Sequence, residues 1–194
     1  VKTTHLLGEA VAECENPPKV WINSSTATIY RHAEDRPQGD FDGEIGTGFS
    51  VNVAKAWEKA FFEDDLNNVR KIAIRSAMVM ADEPETVWTV LQRLARLGLG
   101  GQMGSGKQRV SWISDFDFAR AVEWLAENET ATGTYNVSAP NPVTNTSLMR
   151  CVRDSVRMRI GLPATVWMLE IGTFFMRTET ELVLKSRWVV PTRL

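Results

Sequence analysis

Two hydrophobic periods alternate along the chain, and this alternation constrains its fold more than any other feature. The runs "KVWIN" (19–23) and "KIAIRSAMVM" (71–80) are short, apolar and rich in β-favouring residues, as suits strands buried on both faces. Between them Phe49, Val53, Ala56, Trp57, Ala60 and Phe61 recur at helical spacing. The segment 82–98, "DEPETVWTVLQRLARLG", reads as a second helix, with a proline near its start and Gly98 at its end. "RVSWIS" (109–114) alternates like a strand, and Phe118, Val122 and Leu125 mark one face of a helix opened by Asp115 or Asp117. "TGTYNVSA" (132–139) predicts a further strand, Thr144 caps a helix predicted through Arg159, and "LPATVWMLEIGTFFM" (162–176) predicts another. Parallel strands need long crossovers, so strands separated by helices of ~10–16 residues predict an α/β protein with a mainly parallel sheet. Ligands of such sheets lie beyond the carboxyl ends of the strands.

The rest of the chain fits a globular protein. Its 194 residues can bury a core without staples, with 43% apolar and 24% charged residues. A net charge of −2 gives no reason to expect nucleic acid or an anionic membrane as partner. Cys14 and Cys151 lack CxxC or Cys/His spacing, so they read as small buried hydrophobes in a reducing cytosol. No apolar run reaches transmembrane length, and a cytoplasmic location is expected. His5 and His32 stand without acid/His spacing, which argues against a metal hydrolase. Leu6, Leu7, Ala10, Val11 and Cys14 form a helical stripe stopped by Pro17 and Pro18. Residues 31–48 carry no period of either kind and read as a long loop, a candidate lid.

The first strand runs into Ser24, Ser25 and Thr26. Hydroxyls there can donate to and accept from a substrate oxygen whose charge changes during reaction, or they can satisfy backbone groups freed where the strand ends. "GSGKQ" (104–108) offers Lys107 to a phosphate as a point charge, but it is no P-loop, because Gln108 stands where a hydroxyl residue is required. Arg150, Arg153 and Arg157 share one helix face, readable as a phosphate surface or as a solvated face.

The ordered series "SSTATIY", "IRSAMVM", "GSGKQRVSWISDFDFARA" and "GTYNVSAPNPVT" resembles the extended short-chain dehydrogenase/reductase superfamily, most closely its atypical sugar-nucleotide epimerase-like branch. The resemblance covers nearly the whole chain and implies a Rossmann-like sheet that binds NAD or NADP. It implies that Thr26 supplies the hydroxyl that meets the substrate's reacting oxygen, with Tyr30 near the reacting carbon as a second catalytic candidate. Ser24, Ser25 and Arg75 are the implied cofactor-side residues, and Lys107, Gln108 and Asp117 the substrate-side ones. Active members carry a Tyr and, four residues later, a Lys that lowers the Tyr pKa so that the phenolate can act as a base. Phe49 and Val53 stand at those places, so the usual acid/base pair is absent. Tyr30, Lys55 and Glu58 are the nearby groups that could replace it.

The resemblance also implies a GxxGxxG turn between a first strand and helix, which seats the cofactor pyrophosphate on a helix N-terminus. "IGTGFS" and "GLGGQMGSG" contain glycines but lack that context. The chain is therefore expected to be the C-terminal two-thirds of a longer protein. Residues 1–138 are expected to form a partial NAD(P)-binding Rossmann-like domain with inserted substrate-side segments. Residues 139–194 are expected to form a small C-terminal α/β domain. The expected function is that of an NAD(P)-dependent epimerase-like or oxidoreductase-like protein acting on a nucleotide-linked or related small molecule. The alternative is a non-catalytic cofactor-binding or regulatory protein that has lost the Tyr/Lys pair. A homodimer is expected from the superfamily's habit of pairing the helix at 49–62.

Overall fold

The computed structural model describes residues 1–63, 66, 68–165 and 184–194. The elements in chain order are α1 (Lys2–Ala12), β1 (Val20–Thr26), a 3₁₀ turn (Ala27–Ile29), α2 (Phe49–Glu63), β2 (Arg70–Ser76), β3 (Met78–Met80) and α3 (Val87–Arg96). They continue as β4 (Arg109–Val110), β5 (Trp112–Ser114), α4 (Asp115–Glu127), β6 (Gly133–Val137), β7 (Val143–Thr144) and α5 (Asn145–Ser155). β1, β2 and β6 form a parallel sheet in that order, so the expected α/β architecture is present.

The apolar runs sit where their burial requires. Ile72, Ile74, Tyr135 and Val137 pack with Ile113 and Leu125, and Phe118, Ala121 and Val122 of α4 close that face. Ala27, Ile29 and Tyr30 pack on Val51 and Ala54 of α2 and on Val189. A third cluster joins Leu91 and Ala95 of α3 to Leu148, Met149 and Val152 of α5. The α4 start is set by Ser114, whose Oγ accepts from the Asp117 amide while its hydroxyl donates to the Asp117 carboxylate.

Several boundaries differ from the sequence expectation, each for a visible reason. The run 71–80 divides at Ala77, whose amide donates to Val137 O, whereas the Met78 amide turns to Ser111 O and β3 pairs with β5 instead. "RVSWIS" divides at Ser111, whose hydroxyl donates to Arg187 O and accepts from the Val189 amide, and β4 pairs antiparallel with β7. α3 starts after Pro84, at Val87, with Thr86 as cap. α5 is capped by Thr144 as expected but ends at Ser155, where Arg157 turns the chain in the left-handed region at φ 57°. Of the helix expected over 162–176, residues 166–176 lie outside the described residues.

Both cysteines are exposed rather than buried. Cys14 lies beyond the last turn of α1, and Cys151 faces away from the side of α5 that carries Leu148, Met149 and Val152. The glycine run after α3 is structural: a Cβ on Gly101 would come within 2.4 Å of the Leu162 backbone. That run follows a helix, which removes it as a pyrophosphate turn.

The two edges of the main sheet are treated differently. At β6 the Asn136 amide donates to Asp40 Oδ1 (2.6 Å), and Arg193 donates to Thr134 O (2.7 Å), so side chains cap the edge. Along the outer edge of β1, no strand pairs among the described residues. The loop 31–48 is pinned by bidentate Arg31–Asp35 contacts, by Arg31 and Arg36 on Glu44, and by main-chain bridges Tyr30 to Ile45 and Gln38 to Val189. Contacts also cross the expected boundary at residue 138, since α5 packs on α3 and residues 186–193 return to β6 and this loop.

Candidate functional site

The carboxyl ends of the parallel strands bring Thr26 of β1 beside Ser76 of β2, with Val137 of β6 next in register. Small side chains with hydroxyls at this edge leave room for a ligand, as the topology demands. Thr26 is half-buried, and its Oγ1 accepts from the Thr28 amide (3.1 Å), capping the 3₁₀ turn. Its hydroxyl proton has no acceptor among the described residues. Ser76 Oγ donates to Ala77 O (2.8 Å), which leaves its lone pairs to accept.

Beneath this edge runs a buried polar chain. Ser25 Oγ donates to Glu58 Oε1 (2.7 Å), and Arg75 clamps the same carboxylate through Nε (2.9 Å) and Nη2 (2.7 Å). Arg75 Nη1 also donates to the Tyr30 hydroxyl (2.9 Å), which in turn donates to Asn136 Oδ1 (2.8 Å). Asn136 Nδ2 donates to Val190 O (3.1 Å), so one network ties β1, α2, β2, the loop after β1, β6 and the C-terminal segment together. Burial pushes the Tyr30 phenol above its ordinary pKa, opposed in part by the Arg75 charge and hydrogen bond. Burial also works against the Arg75 charge, yet the hydrogen bonds to Glu58 and the partnership with Tyr30 hold its pKa above the usual range.

The structure therefore separates the residues singled out by sequence. Thr26 and Lys107 present side chains to an accessible surface, and Ser24 does so at the outer edge of the sheet. Ser25, Tyr30 and Arg75 are instead committed to the buried network, because ion pairs and hydroxyls removed from water must be satisfied internally. Gln108 is 2% exposed, and its amide donates to Met103 O within the glycine loop. Asp117 serves the N-terminus of α4. Phe49, at the place of the missing Tyr, is 74% exposed at the start of α2, and Lys55 is exposed on the same helix. Asn136 and Asp40 were not singled out. The former lies in "GTYNVSA", where a polar residue flanked by buried positions was the available signal. Among the described residues no three His, Cys, Asp or Glu side chains gather as metal ligands, and no helix is long and apolar enough to cross a membrane.

The site is thus a parallel α/β sheet with hydroxyl residues at its carboxyl edge, backed by an Arg–Glu pair between the second strand and the helix after the first. The chain is similar to proteins of the atypical, epimerase-like branch of the extended short-chain dehydrogenase/reductase superfamily. Human epimerase family protein SDR39U1 is 29% identical over 201 residues, covering 100% of this chain and 64% of that protein. Its crystal structure with NADPH superposes with a TM-score of 0.89 at 25% identity, over 99% of this chain and 64% of that one. Epimerase family protein ML0860 of Mycobacterium leprae is 34% identical over 145 residues, 75% of this chain and 46% of that protein. The UDP-N-acetylglucosamine 4-epimerase of Bacillus cereus shares the fold, with a TM-score of 0.67 at 15% identity over 84% of this chain and 60% of that one. No protein-family model matches. The chain thus spans somewhat under two thirds of the human relative's length.

Proposed function

We propose that the protein is an NAD(P)-binding, epimerase-like protein that takes a nucleotide-linked or related small molecule at the carboxyl edge of β1 and β2. The observation that carries this reading is the pairing of Thr26 with Ser76 at that edge, in a fold that follows the NADPH-bound human relative along almost all of this chain. The residues present fit the reacting end of a nicotinamide cofactor, where small side chains and a free hydroxyl proton are needed. They do not supply the pyrophosphate seat, since Gly46 and Gly48, which precede α2, end a long loop from β1 and do not form a tight strand-to-helix turn. When bound, the cofactor supplies hydride exchange. Thr26 would donate a hydrogen bond to the substrate oxygen at the reacting carbon, and Lys107 would meet a phosphate of the substrate.

A second reading, binding without turnover, is favoured by one observation. The only tyrosine near the edge is buried, hydrogen-bonded and harder to ionise than usual, and Phe49 and Val53 can neither accept nor relay a proton. The two readings separate in the full-length protein supplied with UDP-sugars through chromatography of the sugar products, which reports redox-neutral epimerisation, together with NAD(P)H absorbance, which reports net oxidation or reduction. Turnover that disappears in Thr26→Ala and survives in Thr26→Ser supports catalysis. Saturable cofactor binding with no turnover of any such substrate supports the second reading, and no cofactor binding at all sinks both.

A further inference from the structure

The C-terminal ends of α3 and α5 meet at one pole of the molecule. Gln92 Nε2 donates to Ser155 Oγ (3.2 Å), Arg153 Nη1 donates to Gly100 O (2.6 Å), and the Leu162 amide donates to Gly98 O (2.8 Å). At this pole Arg150, Arg153, Asp154, Arg157, Met158 and Arg159 line a cavity of about 550 Å³. Four guanidinium groups share it with a single carboxylate. Arg153 is committed to the Gly100 carbonyl, but among the described residues the guanidinium groups of Arg150, Arg157 and Arg159 have no partner. Elsewhere Arg31, Arg36 and Arg75 are each matched to carboxylates.

A helix dipole accounts for a cation in the last turn, such as Arg153. It does not account for Arg157 and Arg159, which lie past the end of α5. The left-handed backbone of Arg157 turns the chain there, and both side chains line the same cavity as Arg150 and Arg153 on the helix. Like charges held together in this way repel unless an anion lies between them.

We propose that this cavity is a binding site for a phosphate-bearing ligand, separate from the strand-end site and independent of the cofactor reading. The planar forks of several arginines match phosphate oxygens, and the volume suits a diphosphate with part of its organic substituent. Leu97, Leu99, Ile160 and Leu162 stand exposed beside it and give that substituent an apolar surface. The phosphate belongs either to a soluble ester or to the headgroup of an anionic phospholipid.

The test uses two probes on the full chain at about 100 mM salt: calorimetric titration with inorganic pyrophosphate, and cosedimentation with phosphatidylglycerol vesicles against phosphatidylcholine ones. Arg150→Gln/Arg157→Gln/Arg159→Gln is expected to weaken binding about tenfold or more, the loss of several charge-assisted hydrogen bonds. Lys2→Gln/Lys19→Gln/Lys59→Gln makes the same change of net charge on exposed positions and is expected to leave binding within about twofold. Pyrophosphate binding identifies a soluble ester and vesicle binding alone identifies a headgroup, and either supports the site. Should the arginine variant fail to fold, Arg150→Gln alone, at an exposed helical position, is expected to show a smaller loss of the same sign. No binding of either probe, or equal weakening in the arginine and lysine variants, overturns the proposal.

Discussion

Tyr30→Phe separates a positioning role for this tyrosine from a catalytic one. The substitution keeps the ring, and with it the packing on Ala27, Ile29, Val51 and Ala54 and the Arg75 guanidinium 5.1 Å from the ring centroid. It deletes one hydroxyl, and the cost follows from that group's partners. Asn136 Oδ1 loses its donor at 2.8 Å in a residue only 1% exposed, and Arg75 Nη1 loses its acceptor at 2.9 Å. A buried acceptor left without a donor costs ~1–3 kcal/mol, and a hydrogen bond from a charged donor contributes ~1.5–3 kcal/mol, so a loss of about 3 kcal/mol is expected. Arg75 retains its clamp on Glu58, which keeps the figure below the ~3–5 kcal/mol expected when an ion pair loses one partner, as in Glu58→Gln. Urea unfolding followed by tryptophan fluorescence measures the loss directly, and the apparent melting temperature is expected to fall ~6–12 °C. Cofactor binding and any turnover by the full-length protein are expected to persist at temperatures where the variant stays folded. A stability change below about 1 kcal/mol together with abolished turnover would refute this account and restore Tyr30 as a catalytic group.

Three further outcomes are expected. In a Tyr135→Phe background Tyr30 is the only tyrosine left, and its absorbance change near 295 nm is expected above the ordinary phenol pKa of about 10. The sign for stability follows, because the unfolded chain ionises first. The Tyr30 contribution is complete below about pH 10 and is lost as pH rises towards the folded-state value, so a midpoint at or below 10 contradicts the burial argument. Gly101→Ala places a methyl against the Leu162 backbone and is expected to cost about 2 kcal/mol or more, whereas Gly98→Asn, in open space at positive φ, should cost much less; equal effects in urea unfolding would dismiss the close approach. The 194-residue chain alone is expected to show no saturable NADPH binding up to about 1 mM by fluorescence, and tight binding would mean that a pyrophosphate seat exists within it.

The α/β alternation was legible because it depends on local period. The apolar cores of "KVWIN", "KIAIRS" and "TGTYNV" became neighbours in one parallel sheet, with Ile72, Ala73 and Ile74 buried in its central strand and Val20, Trp21 and Ile22 half-buried at its edge. Where a strand changed partners, no local signal announced it. Ala77 and Ser111 break their runs because distant carbonyls and amides, Val137 and Val189, claim their hydrogen bonds. The roles of the polar residues were less legible still. "SSTATIY" holds four hydroxyl residues before its tyrosine, and nothing within the motif distinguishes Ser25, which a glutamate 33 residues away holds, from Thr26, whose proton has no acceptor among the described residues. Alternation along β1 does separate them, since successive side chains point to opposite faces, but which face meets α2 depends on the whole fold.

Charge was legible only as a sum. A net charge of −2 describes a chain whose loop 31–48 matches each arginine to carboxylates and whose α5 terminus gathers arginines around one aspartate. The two arrangements have opposite physical consequences. In the loop, the hydrogen bond from Arg31 to Asp35 holds the carboxyl below the usual carboxylate range, and Arg31 and Arg36 share Glu44, so these exposed pairs tie the loop to itself. At the pole no such neutralisation occurs among the described residues, and the field stays open to an anion from solution. The arginines of the loop are therefore matched within it, while those at the end of α5 remain available for recognition.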